Sequence, residues 1–478
     1  MKWMMIWPLL LALSCRGNAE AVSVVKQKEP EPVMGGPTHL TMTFKDFEFN
    51  GFARLIGFYS DQNYLVDSTA VTNGKIDYSN PKGLAQGIYY VMFTGRKEFI
   101  QIIMGEDQEF DMQLSLFDPL NTMVVTGSQE NELFYENMRY ETNTIGPRMN
   151  ELNAQVKNTE MGSEAYMALK KERDGLEAQR LQKIYELREK YPNLLFTSYK
   201  YGGQNPKLRE ELSKELQVVQ YRKEFWDNVD FSDTRLLRTP MFGIKLKRFL
   251  KELTVQHQDS ILVSAHQLMA KIMDKPEYYK VVANYVVLTY EPGKCPIMDA
   301  EKIFVDMVRK YFTRERAFWS DTLQTDAIQS RATEMAQSLL GLKGPNVIST
   351  DPMGKKQELM AKTADYVVVY MFNPDCEHCM VETPKLHKYF LENKDKGIDV
   401  YAIAIDTDDA KWKAYIKKNG LSWTNVHDPT NRSIYAKYYV DVTPEIYVLN
   451  KERKIIGKNL KTDQIQIIID RDKNKGKS

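Results

Sequence analysis

Along the last third of the chain, short apolar runs alternate with helical patterns. Residues 366–372 form a continuous apolar run, and residues 399–405 form a second one; both read as buried strands. Residues 379–392 and 408–419 read as helices, the latter ended by Gly420, and residues 431–438 as a short third helix. Residues 445–449 and 454–457 make a hairpin around Asn450-Lys451-Glu452-Arg453, and residues 463–470 close the segment as a helix. This β-α-β-α-β-β-α order predicts an α/β sheet over residues 340–478.

The pattern upstream differs twice. Residues 38–128 carry short β-branched and aromatic runs, such as 53–59, 88–93 and 99–104, separated by turn signals at Asn73-Gly74, Gly87 and Gly105-Glu106-Asp107. Asn73-Gly74 between extended runs predicts a type I′ hairpin, and the region as a whole an all-β, sandwich-like domain. Residues 129–335 are expected to be all-α. Helices are predicted over 130–140, 149–157, 164–191, 217–228, 242–253, 259–273, 278–289 and 299–311, with a break at Met161-Gly162-Ser163. Leu169, Leu176, Ile184, Leu187 and Tyr191 form a packing seam, and Tyr191-Pro192 ends that helix. Tyr221, Phe225, Trp226 and Phe231 lie at helical spacing and read as core rather than as the lining of a groove. The chain is therefore expected to be multidomain.

The first 37 residues add location. The apolar stretch 3–13 after Met1-Lys2 is too short to span a bilayer and reads as an export signal over residues 1–19. Ala12-Leu13-Ser14-Cys15 resembles the lipobox of bacterial lipoproteins, which implies acylation of Cys15; cleavage after Ala19 is the other reading, and both export the chain. Residues 20–37, with Glu29-Pro30-Glu31-Pro32 and Gly35-Gly36-Pro37, read as a tether. A net charge of +1 over 478 residues, with no base-reading motif, argues against a nucleic-acid partner.

Four cysteines are too few for a disulfide scaffold. Cys15 is lipidated or removed, Cys295 is left over and reads as a partly buried free thiol, and the remaining two stand as Cys376-Glu377-His378-Cys379. Two cysteines in this spacing, after an apolar strand and opening a helix, can close a disulfide across one turn, and the helix N-terminus favours a thiolate at the first position. A zinc site would need a second pair of ligands nearby, where only His378 and His387 occur, so no metal is expected. Peroxidase chemistry would need a Thr or Ser that Phe372-Asn373-Pro374-Asp375 does not supply.

The motif extends to C-x-x-C-x-x-E-x-P as Cys376, Cys379, Glu382 and Pro384. It is preceded by Gly344-Pro345-Asn346-Val347, Asp351 and Gly354-Lys355, and followed by Val442-Thr443-Pro444. In these features residues 340–470 resemble the TlpA/ResA-type thioredoxin-like thiol–disulfide oxidoreductases of the bacterial envelope. The resemblance implies a thioredoxin-like fold, with Cys376 as nucleophile, Cys379 as resolving thiol and Glu382 as its proton acceptor. A cis Thr443-Pro444 bond would stand beside the dithiol, where substrate pairs. Glu377 and His378 are expected to tune the thiol pKa values in opposite senses, and Asp375 stands where Trp is common in the family. Upstream, Asp67-Ser68-Thr69, Asn73-Gly74-Lys75 and Gly127-Ser128-Gln129-Glu130 resemble a β-rich domain of unknown function. Phe225 and Trp226, Asp230-Phe231-Ser232-Asp233 and Arg238-Thr239-Pro240 resemble a helical domain of unknown function from similar envelope proteins.

The expected activity is reduction of client-protein disulfides by a lipid-anchored, periplasm-facing enzyme. It needs no cofactor beyond the Cys376–Cys379 pair and is recharged by a membrane thiol relay. The alternative is an envelope binding or scaffold lipoprotein whose thioredoxin-like module is ancillary.

Overall fold

The computed structural model describes residues 31–46 and 49–475; the export signal, Cys15 and most of the tether lie outside the described residues. Eight strands come first: β1 (Thr38–Phe44), β2 (Gly51–Tyr59), β3 (Gln62–Thr72), β4 (Lys75–Asn80), β5 (Gly87–Phe93), β6 (Phe99–Met104), β7 (Gln108–Leu114) and β8 (Val124–Thr126). They form one sheet in the order β6-β5-β2-β3-β4-β1-β7-β8, antiparallel except where β1 runs parallel to β7. The sandwich-like character arises because this single sheet folds over on itself. Phe44 of β1 meets Phe93 of β5 edge-on at 5.3 Å, although three strands separate them in the sheet order. The β3–β4 turn is the expected hairpin, with φ of 50° at Asn73 and 69° at Gly74.

The helices that follow are α1 (Pro119–Thr122), which precedes β8, then α2 (Gln129–Arg139), α3 (Gly146–Asn158), α4 (Glu164–Lys190), α5 (Leu195–Gly202) and α6 (Lys214–Glu224). After them come α7 (Pro240–Lys247), α8 (Gln258–Lys271), α9 (Pro276–Thr289), α10 (Ala300–Tyr311) and α11 (Thr322–Met335). Helices α5 and α11 were not foreseen. The N-cap of α5 is Leu194, which has no capping side chain; the Glu130 carboxylate, from α2, accepts instead from the backbone N–H groups of Leu195 (2.6 Å) and Phe196 (2.7 Å). By contrast, α11 carries a local signal, a capping box of Asp321 with Gln324.

Sheet and helices share one hydrophobic core, which runs from Leu40 to Met335 and also takes in Tyr439 of the C-terminal part. Phe225 and Trp226 lie inside it, stacked and edge-on against Phe249, as the spacing suggested. Close approach of α7 to the β2–β3 turn needs Gly243, where a Cβ would stand 2.5 Å from the Ser60 carbonyl oxygen.

The C-terminal part opens with a small pair, β9 (Ile348–Thr350) and β10 (Lys356–Glu358). It continues as β11 (Tyr366–Phe372), α12 (Glu377–Asn393), β12 (Ile398–Ile405), α13 (Asp409–Asn419), β13 (Thr424–Asp428), α14 (Arg432–Tyr438), β14 (Glu445–Leu449), β15 (Ile455–Gly457) and α15 (Thr462–Lys475). The sheet order is β13-β12-β11-β14-β15, with β11, β12 and β13 parallel and β14 and β15 antiparallel. β13 corrects the expected element order. Its sequence Thr-Asn-Val-His-Asp lacks an apolar run because it is an edge strand. All seven residues of β11 are buried. Val368, Tyr370 and Phe372 pack under α12, α13 and α15, whereas Val367, Val369 and Met371 face α14.

The helical region docks on this unit through buried charge. Lys458, 1% exposed, places Nζ 3.3 Å from Glu301 Oε1 and 3.6 Å from Asp299 Oδ1, and donates to the Ser338 carbonyl at 3.1 Å. Arg331 of α11 bonds Glu291 at 2.6 Å and the Tyr439 hydroxyl at 2.7 Å. Lys458→Met is expected to lower stability by about 3–5 kcal/mol, because it strands two carboxylates in the interior. The urea midpoint of the full chain measures this, and a loss below about 1 kcal/mol would show that those carboxylates do not depend on the lysine.

Candidate redox site

Strand β11 delivers the chain to a tight corner. The Asn373 side chain accepts from the Asp375 N–H at 2.8 Å, and the Asn373 carbonyl accepts from the Cys376 N–H at 3.1 Å. Cys376 is thereby set as the N-cap of α12, while Cys379 falls one turn inside. The two thiols occupy different environments: Cys376 is partly exposed, Cys379 is fully buried, and both are unpaired.

That difference separates their acidities. Burial opposes ionisation of Cys376, but hydrogen bonds from the Thr443 side chain and from the backbone N–H groups of Cys379 and His378 outweigh it, so its pKa lies below the ordinary thiol value. Burial pushes Cys379 up to about 12. As a thiol, Cys376 donates to the Thr443 carbonyl at 3.3 Å, and the Thr443-Pro444 bond is cis, as the resemblance implied. Behind Cys379, the Tyr415 hydroxyl donates to the Cys379 carbonyl (3.3 Å) and bonds Thr383 Oγ1 (2.9 Å), which also meets the Tyr370 hydroxyl at 2.7 Å.

The remaining sequence candidates fall in distinct places. Glu382 Oε1 accepts from the Thr462 N–H at 2.8 Å at the start of α15, and Oε2 lies 3.3 Å from Lys385 Nζ. Burial opposes its charge, but these partners hold its carboxyl below the usual carboxylate range. Glu377 and His378 are exposed on the first turn, and Pro384 lies inside α12. Asp375 turns outward to Lys411 of α13 at 2.8 Å, which offsets its charge beside Cys376.

Two features were missed by sequence reasoning. Glu445 follows Pro444 and is buried, with Oε2 lacking a hydrogen-bond partner; burial, then the nearby Glu301, raises its pKa well above normal. A charged residue opening the apolar strand β14 was a visible signal. The second feature is segment 292–301 of the helical region, which lines a cleft together with His378, Glu382 and Pro444. No local pattern could have paired segments this distant.

Comparison with known proteins agrees with this geometry. Residues 364–455 match the family model described as thioredoxin-like, and residues 176–337 match that of a domain of unknown function (DUF5106). Through its C-terminal domain the chain belongs to the thioredoxin-like proteins. That domain is similar to the thiol-disulfide oxidoreductase ResA of Bacillus thuringiensis, at 26% identity over 24% of this chain and 67% of the relative. A solved "domain of possible thiol-disulfide isomerase" from Cytophaga hutchinsonii is 34% identical over 30% of this chain and 98% of its own, with a TM-score of 0.28. A thioredoxin-like protein from Bacteroides caccae is 19% identical over 56% of this chain and 97% of its own, with a TM-score of 0.46.

The unequal thiols yield a direct test. In the reduced protein at pH 7, iodoacetamide is expected to label Cys376 and spare Cys379. The Cys376 rate should reach half its maximum below about pH 8.5, the ordinary thiol value, because a lowered pKa puts the thiolate in place earlier as pH rises. Equal labelling of both cysteines in the folded chain would contradict the assignment; peptide mass mapping distinguishes the two outcomes.

Proposed function

We propose that this chain is an exported thiol–disulfide oxidoreductase that reduces disulfides of client proteins through Cys376 and Cys379. The observation that carries the reading is the pairing of an accessible, acidified thiol at a helix N-cap with a buried, protonated thiol one turn on. The Cys376 thiolate attacks one sulfur of a client disulfide, forming a mixed disulfide and expelling the other client sulfur as a thiolate. Cys379 then loses its proton and attacks Cys376 Sγ. This closes the Cys376–Cys379 disulfide and releases the second client thiolate, so two electrons pass to the client.

Cys379 needs a proton acceptor at that step, since burial holds its proton. Glu382, ionised and one turn along the same helix, is the assigned acceptor. Thr443 and Pro444 are assigned to client binding through the loop that already meets Cys376 Sγ. Glu377 and His378, exposed beside the nucleophile, are assigned to tuning it. The cycle needs no metal or organic cofactor. Its disulfide form is recharged by a membrane thiol relay, and the protein works on the periplasmic side of the envelope, anchored by a lipid on Cys15.

The reduction potential of the pair, titrated against a thiol buffer, tests this reading. A value near the thioredoxin end, about −270 mV, supports a reductase, and one near −120 mV would make the chain an oxidant instead. Absence of any reversible couple would shift the weight to a binding role for the envelope protein. In parallel, Cys379→Ser is expected to accumulate mixed disulfides with clients, and Cys376→Ser to abolish turnover. The converse pattern would reverse the two roles.

A further inference from the structure

Beside the dithiol runs a cleft of about 710 Å³ whose two walls come from different parts of the chain. One wall belongs to the thioredoxin-like unit: Val381 of α12, Val442 and Pro444 of the cis-proline loop, and Leu460 before α15. The other belongs to the helical region, where Pro292, Cys295, Ile297 and Met298 precede α10. We propose that this cleft is the binding groove for an extended, unfolded segment of the client polypeptide, and that the helical region supplies its second wall. The proposal rests on the reading of Cys376 as the attacking thiol and adds the class of substrate that can reach it.

Three observations lead there. The cleft adjoins Cys376: His378 and Pro444 line it, the backbone N–H of His378 bonds Cys376 Sγ, and Thr443, next to Pro444, accepts from that thiol at 3.3 Å. The walls mix apolar and polar groups: Val381 and Val442 stand exposed on one wall among Glu382, Lys385 and Lys461, and Pro292 and Ile297 face them from the other. An extended chain sends successive side chains to opposite sides, so it can meet two facing walls at once; a folded convex surface would meet only the rim. The second wall is also fixed in place. Asn459 Nδ2 donates to Glu301 Oε1 at 3.0 Å and lies 3.4 Å from the Met298 carbonyl, Lys458 sits between Asp299 and Glu301, and Met298 packs on the thioredoxin-like core.

The wall carries its own reporter, the Cys295 thiol, which is partly exposed. In the full chain carrying Cys379→Ser, Cys376 is loaded with one equivalent of either a short apolar cysteine peptide or 2-mercaptoethanol, each supplied as its 2-pyridyl disulfide so that pyridine-2-thione leaves, and chains in which Cys295 has also been modified are excluded by mass. Alkylation of Cys295 is then followed by peptide mass mapping. The peptide adduct is expected to slow Cys295 alkylation at least about tenfold, since tethering raises its local concentration in the groove, and the mercaptoethanol adduct to leave the rate within about twofold of the unloaded chain. Equal rates in both adducts would overturn the proposal. Loading by an activated disulfide requires only an accessible thiol. A chain that fails to reduce client disulfides but still shows Cys295 protection would therefore sink the reductase reading and leave the groove standing.

Discussion

Burial of β11 on both faces is the constraint on which the rest of the C-terminal unit depends. Seven consecutive residues without an exposed side require helices above and below, so α12, α13 and α15 cover one face and α14 the other. The strand must then leave the sheet at Phe372 and turn back at once as α12. That turn brings Cys376 to the mouth of the site and Cys379 under it. The asymmetry of the two thiols is thus a consequence of topology before it is one of local chemistry. The N-cap position offers backbone N–H groups to one sulfur, and the interior denies water to the other.

The helical region reaches the same site by a different kind of contact. A lysine that is 1% exposed can be tolerated in the interior only with negative partners, and both of its carboxylate partners, Asp299 and Glu301, come from the helical region. The contact is therefore specific in register as well as in place. It seats segment 292–298 across from the cis-proline loop. Glu445, left with one unpartnered oxygen beside this cluster, lies where the two regions meet and not in either alone. At the other end of the chain the N-terminal sheet is no independent appendage, since its inward residues join the helical core.

Much of this was legible in the sequence. The alternation of apolar runs and helical patterns, the C-x-x-C spacing and the Asn73-Gly74 hairpin are local properties. They depend on periodicity and on the conformational preferences of a few residues, so they survive without knowledge of the fold. The failures have equally definite causes. β13 is an edge strand and needs no apolar run, α5 borrows its cap from Glu130 sixty-five residues upstream of Leu195, and Glu445 looks like a strand residue until its neighbours are known. Glu382 was legible as a residue of the helix after the C-x-x-C pair, but its contacts with Thr462 and Lys385 come from the packing of α15 against α12 and from the next turn.

The sequence by itself determined the succession of β-rich, helical and α/β regions, the C-x-x-C pair and the class of fold that presents it. Such features are written in spacings of two to four residues. Tertiary structure alone decided that Lys458 meets Asp299 and Glu301, that one core joins sheet and helices, and that the cleft beside the dithiol has a wall from the helical region. Each of these depends on side chains far apart in the chain, and their cost or gain is set by the water excluded when they meet, a quantity with no local signature.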